Sequence, residues 1–176
     1  MSGFFVSERN DQEVSKRAFS EDGYIVSQKN TEDRMYGRWS SDYNGCGWIA
    51  AYNLLKADGY EITPEQVLDE MNAILPYKGN RGTPVSMMEK YLKAKGLNYI
   101  RVDGKKSILA AVLAARAGML RYTEGRVPHY VTFLRVDAGH FRFLNIDSGC
   151  EDTIFTMEDF FASHVKMPII KAMLTA

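Results

Sequence analysis

The chain has 176 residues, 45% of them hydrophobic and 25% charged, with 22 basic residues balanced by 22 acidic ones. A chain of this length buries roughly 70% of the surface that its unfolded form exposes, so one globular domain is stable without disulfide or metal staples. A net charge of zero and a pI near 6.8 leave no chain-wide field to draw in nucleic acid, and no apolar run is long enough to span a membrane.

Met1 to Asn10 show no basic start followed by an apolar core, so no export signal is expected and the reading is a cytoplasmic protein. Two cysteines, Cys46 and Cys150, are too few for a disulfide framework, and no Cys or His cluster has zinc-ligand spacing. No metal or cofactor is expected.

Residues 1–40 mix charges with scattered aromatics such as Phe19, Tyr24, Tyr36 and Trp39, and read as an arm packed over a domain formed by residues 41–176. Gly47 to Asp58 is apolar nearly all round and stopped by Gly59, which predicts a buried helix. Thr63, Pro64 and Gln66 make a helix start with a capping box, followed by the stripe Val67, Leu68, Met71, Ile74 and Leu75 and a stop at Pro76. Thr83 and Pro84 repeat the start signal for a helix that ends at Gly96. Leu97 to Val102 alternates like a strand, and Ser107 opens a short helix. The character then changes. Met119 to Tyr122, Tyr130 to Val136 and Phe141 to Ile146 are β-rich, the last two joined as a hairpin, and a short helix from Thr156 precedes a final strand, Ile169 to Leu174. Helices first and antiparallel strands second predict an α+β domain whose two halves pack side by side.

Cys46 lies between Gly45 and Gly47, immediately before the most apolar helix. Unpaired N–H groups and the helix dipole at such a terminus stabilise a thiolate, and the glycines leave room for a substrate carbonyl to approach the backbone. A free cysteine is more often a small buried hydrophobe, but the Gly-Cys-Gly context at a helix start favours a nucleophile. Of three histidines, His140 lies in the hairpin turn and His164 at a helix end, where imidazoles are usually solvated. His129 begins a strand and is the candidate base, with a satisfied core histidine as its alternative. The hairpin returns Asn145, Ile146 and Asp147 towards His129, so Asp147 is either the carboxylate that orients the imidazole or an ordinary turn aspartate. Trp39, Tyr43 and Trp48 surround the nucleophile in sequence and are candidate cleft walls.

Asn44 to Gly47 with its apolar helix, the Thr83 to Gly96 helix, the Lys106 to Arg121 segment, Pro128 to Val131 and Asn145 to Gly149 together resemble the papain-like, bacteriocin-processing peptidases that cut after double glycine, and especially their stand-alone bacterial relatives. The likeness is carried by order and spacing. It implies a papain-like fold, a helical half bearing the cysteine against an antiparallel sheet bearing histidine and aspartate. It further implies hydrolysis of a peptide or protein substrate without metal or organic cofactor. Matched by position, Cys46 is the nucleophile, His129 the base and Asp147 the orienting carboxylate. Relatives usually carry a glutamine about six residues before the cysteine. Here that position is Ser40, which passes the oxyanion role to Asn44 together with the Cys46 backbone N–H. The proline that usually follows Cys-Gly is replaced by Trp48. The leading expectation is a thiol hydrolase acting through an acyl-enzyme. An acyltransferase or transamidase on the same fold and a non-catalytic papain-like binding module are the alternatives.

Overall fold

The computed structural model describes residues 13–80, 82–124, 127–146, 153–167 and 169–176. Asp147 and Cys150 lie outside them.

The arm comes first. Val14, Ala18 and Ile25 enter the main hydrophobic core, and short 3-10 turns form at Lys16–Ala18 and Gln28–Thr31. A two-residue ribbon, β1 (Met35–Tyr36) with β2 (Trp39–Ser40), leads into a single helical turn, α1 (Ser41–Asn44). Helix α2 (Cys46–Ala57) follows, and Gly47 to Leu55 are all buried, as its all-round apolar sequence requires. Gly59 ends it at φ +82°. Arg116 covers the same end, donating to the Ala57 carbonyl at 2.5 Å and pairing with Asp58 at 2.6 Å, a cation where the helix dipole is negative.

Helix α3 (Pro64–Ile74) has the expected capping box, Thr63 and Gln66 each satisfying the other's backbone N–H. Val67, Leu68 and Met71 are buried, but Ile74 is exposed because the last turn runs past the core. Helix α4 (Val85–Ala94) departs from its start signal. Thr83 makes no side-chain cap, since its hydroxyl is bonded to the Tyr36 hydroxyl at 2.9 Å. Strand β3 (Ile100–Asp103) and helix α5 (Lys105–Ala111) come next, the helix starting two residues before Ser107 because Gly104, at φ +87°, turns the chain there.

Strands β4 (Ala117–Glu124), β5 (Val127–Arg135), β6 (His140–Leu144) and β7 (Ile154–Thr156), helix α6 (Met157–His164) and strand β8 (Lys171–Thr175) complete the chain. The sheet has six antiparallel strands in the order β3-β8-β4-β5-β6-β7, so the last strand inserts between β3 and β4.

Both faces of the sheet are covered, which refines the expected pair of halves. Side chains alternate along a strand. Ala117, Met119, Tyr130 and Met173 join the core beneath α2, α3 and α4, while Leu120, Tyr122, Val131, Phe133, Ala172 and Leu174 join a second core beneath α5 and α6. The second core is aromatic, with Phe143 stacked on Phe160 at 3.9 Å between centroids.

One buried amide ties the arm to α2. Asn53 accepts from the Ile25 N–H at 2.9 Å and donates to the Ile25 carbonyl at 2.8 Å, and both residues are fully buried. Asn53→Ala leaves a donor and an acceptor unsatisfied in the interior, and a loss of about 2–4 kcal/mol is expected from urea unfolding followed by circular dichroism. A loss below about 0.5 kcal/mol, the ordinary scatter of surface substitutions, would show that the arm is held elsewhere.

Candidate active site

Helix α2 brings Cys46 to its first position, directly over the start of β5. Three contacts seat it there. Thr132 on β5 donates its hydroxyl to the Ala50 carbonyl of α2 at 3.1 Å, and Tyr130 donates to the Thr83 carbonyl at 3.2 Å. Thr83 in turn packs so tightly against Gly47 that a Cβ on Gly47 would overlap the threonine side chain. Gly45 is equally confined, by the Ser41 carbonyl and the Trp48 indole. The glycines flanking the cysteine are therefore required by helix packing, since neither position has space for a side chain.

The Cys46 thiol is half-buried and carries no disulfide. Burial pushes its pKa up, but the hydrogen bond and positive charge of His129, with the backbone N–H groups of Tyr130 and Gly47, hold it below the ordinary thiol value.

His129 is fixed from its far side. Its Nε2 lies 2.9 Å from the Asn145 backbone carbonyl, which can only accept, so Nε2 carries the proton and Nδ1 is left for the thiol. Tyr122, the cross-strand partner of His129, meets the imidazole edge-on at 5.8 Å. Asn145 presents its carbonyl from a left-handed conformation, φ +64°, just past the end of β6. A reciprocal pair steadies it: the Gln28 N–H donates to Asn145 Oδ1 at 2.8 Å, and Asn145 Nδ2 donates to Gln28 Oε1 at 3.2 Å. Gln28 also donates from Nε2 to the Asp42 carbonyl in α1 at 2.9 Å. The role of Gln28 has no signal in its local sequence. Nor has that of Asn145, which the sequence placed in the β-rich run Phe141 to Ile146 and which the structure puts just past the end of β6.

The other histidines are engaged elsewhere. His140 pairs with Asp137 at 2.9 Å, and the turn N–H groups and this imidazole lower the Asp137 carboxyl to about 2. His164 stacks on Phe160 at 4.7 Å.

A cleft of about 250 Å³ opens beside the thiol, lined by Trp39, Tyr43, Asn44, Cys46, Thr83, Arg121, Pro128 and Tyr130 among others. Trp39 and Tyr43 line it, both exposed, with ring centroids 5.5 Å apart. Trp48 does not. It is fully buried, its indole N–H bonded to Ser41 at 3.1 Å, because the second residue after the cysteine points into the core side of α2. Asn44 lines the cleft, but its amide donates to the Tyr36 and Gly79 carbonyls at 3.3 and 3.2 Å. Both amide hydrogens are thereby engaged, and the side chain offers none to an oxyanion. Among the described residues, no group of three or more His, Cys, Asp or Glu side chains is placed to hold a metal ion, and no helix is long and apolar enough to cross a membrane.

No protein-family model matches the chain, and no curated protein does. A solved structure does. The peptidase domain of Streptococcus ComA, described as a bi-functional ABC transporter involved in a quorum sensing pathway, superposes with a TM-score of 0.55 at 13% identity, over 77% of this chain and 94% of that one. At this identity the likeness is one of fold, and it agrees with the order of elements and with the α+β architecture read from the sequence. The fold of this chain is therefore that of a papain-like peptidase domain.

Proposed function

We propose that this protein is a thiol hydrolase that cleaves a peptide or amide bond through Cys46 and His129, with Asp147 as the supporting carboxylate. The observation that carries the reading is the thiol at the first position of α2, hydrogen-bonded to an imidazole whose other nitrogen is fixed by a backbone carbonyl. An imidazole held on both sides has one tautomer and one orientation, the arrangement an activated cysteine requires.

In the proposed reaction the Cys46 thiolate attacks the scissile carbonyl carbon and forms a carbon–sulfur bond. The oxyanion is stabilised by the Cys46 backbone N–H at the helix start, since Asn44 is otherwise engaged. His129 then protonates the leaving amine as the carbon–nitrogen bond breaks. Water, deprotonated by the same imidazole, hydrolyses the thioester and regenerates the thiol. Asp147 stabilises the imidazolium charge, complementing the hydrogen bond that Asn145 supplies. The engaged Asn44 amide and the serine at position 40 favour one second reading, a papain-like module that binds a peptide in this cleft without cleaving it.

Cys46→Ala is expected to abolish turnover of any peptide cleaved by the wild type while leaving the circular dichroism spectrum unchanged, because no other group forms the covalent bond. Turnover near the wild-type rate would remove Cys46 from the mechanism.

The pH dependence of Cys46 alkylation by iodoacetamide, read by mass spectrometry, separates the readings. A lowered thiol pKa keeps the thiolate populated into mildly acidic solution, and the rate falls only as pH drops through that lowered value. In His129→Ala the burial is left opposed only by backbone N–H groups, so the profile moves up by roughly one pH unit or more. Asp147→Asn falls between the two. Superimposable profiles for wild type and His129→Ala would favour the binding module.

A further inference from the structure

The sheet face beneath α2 carries a stripe of alternate β4 residues, Ala117, Met119 and Arg121. The first two pack in the core. The third, where the stripe leaves the core, is a half-buried arginine that lines the same cleft as Cys46. Its guanidinium stands over the ring of its cross-strand partner Tyr130 at 6.0 Å, and the N–H of Tyr130 is one of the groups bonded to the Cys46 sulfur.

Arg121 has no carboxylate partner among the described residues, and its Nε is buried without a hydrogen-bond acceptor. Glu89, whose charge reaches Tyr130, is held by Arg101 at 3.1 Å. The residue paired with Arg121 on the other side, Lys171 of β8, is also a cation. A buried N–H without an acceptor is costly, and a planar guanidinium presents its donors in a fork that fits a carboxylate. The cleft thus has a preformed cationic wall beside the nucleophile.

We propose that Arg121 is a specificity residue that binds a carboxylate of the substrate next to the scissile bond, either an acidic side chain or a free C-terminal carboxylate. This rests on the thiol-hydrolase reading of the same cleft. The substrate class is then an anionic peptide, with the carboxylate taking the acceptor place at the guanidinium.

Two reagents of nearly equal size test the wall directly. Iodoacetate and iodoacetamide both transfer a two-carbon group to the Cys46 sulfur with loss of iodide, and only the first is an anion. The iodoacetate-to-iodoacetamide rate ratio at Cys46 should fall roughly 5- to 20-fold in Arg121→Gln and by less in Arg121→Lys, which keeps the charge but not the planar fork, since His129 contributes equally to all three proteins. Arg121→Met, which keeps the aliphatic stem, replaces the glutamine variant if that one is unfolded. An unchanged ratio in a folded variant would overturn the proposal. Ordinary, slow thiol rates for both reagents in the wild type would instead overturn the hydrolase reading, and the ratio would still report on Arg121. The source of the carboxylate is read from protection of Cys46 against iodoacetamide. Protection by N-acetyl-glycyl-glycine but not by its amide identifies a terminal carboxylate. Protection by N-acetyl-glutamyl-glycinamide but not by its glutaminyl analogue identifies a side chain. Equal protection by acids and amides, or none by any of them, counts against a carboxylate site.

Discussion

The seating of the α2 N-terminus on strand β5 is the constraint on which the rest of this structure depends. A hydrogen bond between a thiol and an imidazole tolerates little displacement, and the two groups come from opposite halves of the fold. Their alignment is enforced away from the site, by Thr132 on the Ala50 carbonyl, Tyr130 on the Thr83 carbonyl and the close fit of Thr83 over Gly47. The first two join the sheet half to the helical half, and the third locks α2 against the start of α4. The same threonine that forgoes its capping role at α4 holds Tyr36 and Tyr130, so a local preference is given up for a tertiary junction.

The imidazole is held by a part of the chain remote in sequence. Asn145 takes a backbone conformation that disfavours most side chains, and it does so where its carbonyl accepts the hydrogen bond from the His129 Nε2–H. Its side chain is paired with Gln28 of the arm, which also reaches the turn before Cys46. The arm thus touches the supports of both His129 and Cys46. Burial of Val14, Ala18 and Ile25 and the two bonds from Asn53 keep it in place.

Charge is distributed around the site in a consistent way. Burial alone disfavours a thiolate, and the imidazole and two backbone N–H groups outweigh it. Arg121 adds a cation on the cleft wall with no described carboxylate to neutralise it. A negatively charged sulfur and a negatively charged ligand are both favoured in such a field.

The sequence by itself determined the elements that depend on local chemistry. The capping box at Thr63, the stop at Gly59, the all-round apolar helix after Cys46 and the strand-rich second half are set by hydrogen bonds and periodicities within a few residues, and they appear where those rules put them. Cys46 and His129 were singled out by their positions, a thiol at a helix start and an imidazole near a strand start, and the fold brings the two together. Only the tertiary structure decided what surrounds them. Trp48 and Trp39 are equally aromatic in sequence, yet one is core and the other cleft wall, because helix phase and strand placement determine which way each faces. Asn44 reads as a free amide until the Tyr36 and Gly79 carbonyls arrive to occupy it. Asn145, Gln28, Thr83 and Arg121 have no local signature, since the role of each is defined by a partner brought from elsewhere in the chain, and long-range pairing of that kind is created only when the sheet and the helices close on one another.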